Sequence, residues 1–143
     1  MLLTVQETEN LTQEIDKLAW LYIENKKILG ARSKGKTVIY LPGGKREPGE
    51  SDEVALSREI REELSVDLIA ETIAYVDTFR AEADGKPVGT IVNMACYRAD
   101  FCGTIAAAAE IEEVVWMSYH DRDKCSIGGK IILDWLKEKG MIA

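Results

Sequence analysis

GKREPGESDEVALSREIREELSV, residues Gly44 to Val66, is the stretch that decides the fold. The turn sequence Leu41-Pro42-Gly43-Gly44 feeds a charged loop, and the loop feeds a helix. Ser51 or Asp52 suits the N-cap, and Asp52 and Glu53 suit the positive end of the helix dipole. Leu56, Ile60 and Leu64 recur every four residues and supply a buried stripe. Glu59, Glu62 and Glu63 lie on an adjoining face, where residues three and four apart are neighbours. Like charges packed this way destabilise an isolated helix. A hard divalent cation with oxygen ligands would compensate.

The order of Gly44, Glu50, Arg58-Glu59-Ile60-Arg61-Glu62-Glu63 and Val66 resembles the signature box of the Nudix hydrolases. Every acidic position of the box is filled, and Ser65 stands where the family has glycine. A solvated acidic helix face is the plainer reading of such a charge run. It does not explain why Pro-Gly-Gly, Glu50, Arg58 and three further glutamates fall in register. The resemblance implies hydrolysis of a nucleoside diphosphate linked to another moiety, a class that takes in nucleoside triphosphates and nucleotide sugars, with Mg2+ or Mn2+. It also implies an α/β fold: a Nudix-type α/β/α sandwich with a mixed sheet, one central box helix and a C-terminal helix.

Phosphoanhydride hydrolysis needs a water in line with phosphorus and neutralised phosphate oxygens, and metal ions serve both needs. By resemblance, Glu62 and Glu63 occupy metal-ligand positions, and Glu59 occupies one that binds metal or acts as general base. The Gly43 carbonyl is implied as a further ligand, and glycine suits a backbone that approaches an ion closely. Arg58 either binds substrate phosphate or, as preferred here, orients the carboxylates and pairs with Glu50 to tie the loop to the helix. Glu50 could also touch the metal through water. An acid outside the box often completes such sites. Glu110 is the first choice as base or extra ligand, because it lies on a loop shortly before the VVWMSY strand, and Glu113 is the second.

The 143 residues suit one domain, 1–143, with 1–14 a polar, loosely held segment. A net charge of −7 and a pI near 4.8 disfavour long nucleic acids, which bind basic surfaces. A small phosphorylated molecule, such as a nucleotide, remains compatible if metal neutralises the site locally. No apolar run reaches the roughly 18 residues of a membrane span. MLLTVQETEN is too polar and acidic for a signal peptide. Cys96, Cys102 and Cys125 lack metal-binding spacing and read as small, reduced packing residues of a cytoplasmic protein. A homodimer is compatible with the sequence.

Along the chain, strands are expected at Asp16–Glu24 and Lys27–Arg32 with a turn at Asn25-Lys26. Further strands are expected at Thr37–Leu41, Val66–Arg80, Gly89–Phe101 and Glu113–Ser118. A final amphipathic helix is expected from Lys130 to Lys139, with Ile131, Ile132 or Leu133, Trp135 and Leu136 inward. The box helix should end near Leu64, with Ser65 left-handed.

Arg32 resembles a substrate-phosphate contact, though a solvated arginine is almost as good a reading. Trp20, Tyr22, Phe79 and Tyr97 could include a base-stacking residue, with core packing the default. His120 could carry protons but reads as a surface residue. Two competing functions share the fold. One is a non-catalytic nucleotide-binding or regulatory domain, which generally loses box glutamates. The other is an isoprenoid-diphosphate isomerase, which tends to be longer.

Overall fold

The computed structural model describes residues 13–143. The polar N-terminal segment therefore lies largely outside the described residues, but Gln13 and Glu14 already belong to the first strand. β1 runs Gln13–Trp20, β2 Ile23–Glu24, β3 Lys27–Ser33, β4 Ile39–Tyr40 and β5 Gly43–Lys45. Helix α1 covers Asp52–Leu64. β6 (Asp67–Leu68), β7 (Ala74–Glu82), β8 (Thr90–Arg98), β9 (Phe101–Cys102) and β10 (Ile111–Met117) follow, and α2 covers Ile127–Glu138.

A mixed sheet of order β5-β1-β8-β7 forms the centre, with β1 and β8 parallel and the other pairs antiparallel. A second sheet joins β10, β3 and β2, with β4 on β3. Alternation along β1 divides the interior. Leu18 and Trp20 pack with Leu56, Ile60 and Leu64 of α1. Ala19 and Leu21 pack with Ile132, Leu133 and Leu136 of α2. The sheets thus lie between two helices, as expected of an α/β/α sandwich. Each fully buried leucine or isoleucine contributes roughly 1.5–3 kcal/mol.

Several expected elements are divided. The Asp16–Glu24 strand breaks after Trp20, because the chain crosses from one sheet to the other. The Leu21 N–H donates to the Tyr97 carbonyl at 2.8 Å, while the Tyr22 carbonyl accepts from Leu29 N–H at 2.9 Å. Asn25 and Lys26 both take positive φ, 51° and 61°, as a type I′ hairpin turn requires. Thr37–Leu41 shrinks to β4, and Gly43–Lys45, read as turn and loop, adds strand β5 to β1. Val66–Arg80 becomes β6, a 3-10 turn at Ala70–Thr72, and β7. Gly89–Phe101 likewise ends at Arg98, and Phe101–Cys102 pairs with β6 instead. β10 begins at Ile111, two residues before the expected Glu113.

The last helix starts earlier than Lys130, because the Ser126 hydroxyl accepts from Gly129 N–H at 3.0 Å and caps it. Gly128 and Gly129 are therefore helical. Ile132, Leu133 and Leu136 face inward, whereas Ile131 is exposed and Trp135 packs edge-on against Phe79.

Candidate functional site

The site is built where α1 passes beneath the Gly43-Gly44 edge of β5. Ser51 caps α1 by accepting from Val54 N–H, so the helix register is fixed from its first turn. That register buries Glu63 at 8% exposure, on the same side as Ile60 and Leu64. Its Oε1 accepts from Gly43 N–H at 2.9 Å. Burial pushes the Glu63 carboxyl up to about 8; the Gly43 N–H opposes this, and Glu59, Glu110 and Glu62 add to it. Gly43 takes φ +147°, and a Cβ there would strike the Leu18 carbonyl. At Gly44 a Cβ would meet the Glu59 carboxylate at 2.5 Å. Gly43 lets β5 lie close on β1, and Gly44 lets it lie close on the Glu59 carboxylate.

Arg58 organises the exposed side of this cluster. Its Nε donates to Glu50 Oε2 at 2.7 Å and its Nη2 to Glu50 Oε1 at 2.8 Å, a bidentate pair. Nη1 donates to Glu59 Oε1 at 2.9 Å and reaches Glu62 Oε2 at 3.5 Å. Nη2 also donates to the Lys45 carbonyl at 3.0 Å, so one guanidinium ties loop, strand and helix together. The pair with Arg58, and then the Glu47 N–H, hold the Glu50 carboxyl down at about 2. Glu59 is shifted upward by burial, against the opposing pull of Arg58.

Glu110 is brought in by a loop. The loop before β10 docks on the end of α1, where Ala106 and Ala108 N–H donate to the Leu64 and Glu63 carbonyls, both at 2.9 Å. Ala109 takes φ +52°, and the Glu110 carbonyl accepts from Lys34 N–H at 2.8 Å. Glu59, Glu63, Glu110, Gly43 and Gly44 consequently line one cleft of about 470 Å³. Ile15, Leu41, Val92, Met94 and Ile111 make much of its apolar wall.

Other expected site residues stand elsewhere. Glu62 is half exposed beside Arg58 and does not line the cleft. Arg32 donates to Glu113 Oε1 and to the Lys36 carbonyl, both at 3.0 Å. Strand alternation explains it: Ala31 and Ser33 line the cleft, so Arg32 points to the opposite face. Glu113 is turned away with it. Trp20 and Tyr22 stack on each other and meet Phe101 edge-on, Phe79 packs on Trp135, and Tyr97 hydrogen-bonds Asp52. All four are packing residues away from the cleft. His120 is exposed in a 3-10 turn that Ser118 caps. Cys96 and Cys125 are buried free thiols, and Cys102 is an exposed one.

Sequence reading passed over Lys17, Lys45 and Lys86, which also line the cleft. The signal was a lysine at the alternation position shared with the apolar Ile15 and Ala19.

The donor set is all oxygen and includes a buried carboxylate, which suits a hard divalent cation. Among the described residues, no three acidic, histidine or cysteine side chains are gathered at the spacing that holds an ion by themselves. No helix among the described residues is long and apolar enough to cross a membrane.

A sequence model of the NUDIX domain matches residues 10–136. A comparison with curated proteins found no match. Among solved structures, the chain is similar to the ORF135 protein of E. coli, with 27% identity, a TM-score of 0.69 and coverage of 91% of this chain and 95% of that one. It is also similar to a MutT NUDIX hydrolase of Burkholderia pseudomallei, at 22% identity, TM-score 0.69 and coverage of 85% and 97%. A third similar structure is a bifunctional NMN adenylyltransferase/ADP ribose pyrophosphatase of Francisella tularensis complexed with AMP and a Mn ion, at 24% identity and TM-score 0.65. That match covers 90% of this chain but 42% of the longer protein.

Proposed function

The chain belongs to the Nudix family of pyrophosphohydrolases, and we propose that it cleaves a phosphoanhydride in a nucleotide carrying a further group, a nucleoside triphosphate or a nucleotide sugar. The observation that carries this reading is the buried Glu63 carboxylate, held by Gly43 N–H and sharing one cleft with Glu59 and Glu110. A carboxyl pushed up to about 8 by burial is an expensive group to keep in a core, and a cation that neutralises it explains its presence.

Glu59, Glu63 and the Gly43 carbonyl would hold Mg2+ or Mn2+ in the cleft, and Glu62, which stands beside Arg58 outside the cleft lining, would join them only after its side chain turns inward. When bound, the ion supplies charge neutralisation at phosphate oxygens and acidifies coordinated water. Arg58 keeps Glu59 oriented from behind and locks the loop through Glu50. It is already saturated by carboxylates and carbonyl oxygen, which favours the orienting role over direct substrate binding. Glu110 takes a proton from the attacking water, since it shares the cleft with Glu59 and Glu63 and comes from a loop outside the helix. Glu59 is the alternative base, its acidity already weakened by burial. The apolar wall of Ile15, Val92 and Met94 shelters the uncharged part of the substrate. The three free thiols fit a cytoplasmic setting.

The intact acid set favours catalysis over a purely regulatory binding domain. Incubation with a panel of nucleotides and magnesium, with phosphate and pyrophosphate detected separately, tests the reading. Turnover that EDTA abolishes is expected. Binding without turnover for every nucleotide would support the regulatory alternative instead.

A further inference from the structure

Lys17, Lys45 and Lys86 bring three ammonium groups to one end of the cleft. Lys17 and Lys45 stand directly opposite each other in the antiparallel register of β1 and β5. Side chains so placed have Cβ atoms about 4.5–5.5 Å apart, and like charges there destabilise the pair. Among the described residues, none of the three makes an ion pair. Glu82 and Asp84 also line the cleft, and neither is within ion-pair reach of the lysines: Asp84 acts on Lys17 only at a distance, and its Oδ2 accepts from Ile127 N–H at 2.9 Å, at the start of α2.

Lys17 is half-buried, and its Nζ lies 5.7 Å from the centre of the Tyr40 ring. Burial first, and then Lys45 and Lys86, depress its ammonium pKa, while Glu63 lies close enough to pull the other way. Nothing in the packing of β1 requires a lysine at this position. Ile15 and Ala19, its neighbours on the same face, show that apolar residues fit the strand.

We propose that Lys17 and Lys45, with Lys86 beside them, form an anion subsite for a substrate phosphate beyond the phosphates that face Glu59 and Glu63, so that nucleoside triphosphates are preferred over nucleotide sugars. The proposal rests on the hydrolytic reading above and names the substrate within it. A compact ammonium is a point charge that binds phosphate without demanding bidentate geometry. A neutral sugar at the same place would gain nothing from it and would leave the repulsion between the lysines in place. The Lys45 backbone is fixed by the Arg58 bond to its carbonyl, so the subsite is held at constant distance from the carboxylates.

The test uses calorimetric titration of the whole protein, at fixed magnesium, with methylenediphosphonate and its three-phosphorus homologue, which resist cleavage. Wild type should bind the three-phosphorus compound at least about tenfold more tightly, the scale of one charge-assisted contact. Lys17→Gln should remove most of that preference and Lys17→Arg should keep it. Lys17→Gln should also melt no lower than wild type, because it relieves the repulsion across β1 and β5. An unchanged preference in Lys17→Gln overturns the proposal. So does parallel loss of both ligands together with a lower melting temperature, which would mark Lys17 as a structural residue. If phosphonate discrimination holds but no nucleotide is hydrolysed, the subsite stands and the hydrolytic reading falls. If nucleotides are hydrolysed without discrimination, the subsite alone falls.

Discussion

Gly43 N–H and Glu63 Oε1 meet at 2.9 Å, joining a strand edge to a helix across 20 positions of sequence. The contact depends on both partners being unusual. Gly43 takes a backbone conformation that L side chains rarely adopt. Glu63 is a carboxylate on the buried side of α1, where its helix neighbours are isoleucine and leucine. A single N–H does not offset the desolvation of a carboxylate, which is why burial dominates its acidity.

One consequence is a pH-dependent stability in the metal-free protein. The folded-state value of Glu63, about 8, lies above its ordinary 4.5. Between these values the native state holds a proton that the unfolded chain has released. Its contribution is fully present below about 4.5 and is lost as pH rises through about 8. In EDTA, the melting temperature should fall between about pH 5 and pH 8, and Glu63→Gln should flatten much of that fall. A Glu63→Gln protein that keeps the wild-type slope would show that Glu63 is not the titrating group.

The acid outside the box is tested by three single variants. Glu110→Gln should lower kcat by about a hundredfold or more, within the range of a general base. Glu112→Gln should be near neutral, since Glu112 is exposed. Glu113→Gln should act on stability alone, slightly, by removing the partner of Arg32 at an exposed pair. Equal kcat for the Glu110 variant and wild type would transfer the base role to Glu59.

Ser65 closes α1 at φ 64° and ψ 21°, the left-handed geometry expected from its place in the box. A non-glycine residue there carries strain on the order of 1 kcal/mol. Its hydroxyl donates to the Ala106 carbonyl at 3.3 Å, a weak return. Ser65→Gly should therefore raise the denaturation midpoint slightly, and Ser65→Ala should lower stability by about 0.5–1.5 kcal/mol, having lost the bond and kept the strain. A midpoint for Ser65→Gly below wild type contradicts the strain argument.

Arg58→Lys tests the clamp. Lysine keeps the charge but cannot make the bidentate pair with Glu50 and also reach Glu59 and the Lys45 carbonyl. Turnover should drop by about tenfold or more, and more magnesium should be needed to reach it, because Glu59 loses its orientation. Wild-type kinetics in Arg58→Lys would assign the arginine to packing alone.

The box helix was legible almost to the residue because its signals are local: a serine cap, acids in the first turn and a four-residue apolar repeat. Helical spacing also made it legible that Glu59 and Glu63 stand together, whereas the outward turn of Glu62 beside Arg58 was not legible. The strands were less so. Whether Leu21-Tyr22 continues β1 or crosses to the second sheet is decided by Tyr97 and Leu29, which are distant in sequence. Likewise, Gly43–Lys45 becomes a strand only because β1 offers it an edge. Arg32 and Lys17 show the limit most clearly. Both sit on strands beside the cleft, and only the sheet pairing tells which faces it.

The central claim is that Glu63 serves a metal-dependent hydrolysis. It is tested most directly by titrating magnesium against the turnover of the best nucleotide found for wild type and Glu63→Gln. Wild-type turnover should be abolished by EDTA, and Glu63→Gln should need more magnesium and turn over roughly a hundredfold or more slowly, the scale of removing one key electrostatic element. Robust turnover in EDTA, or an unchanged magnesium dependence and rate in Glu63→Gln, would contradict it.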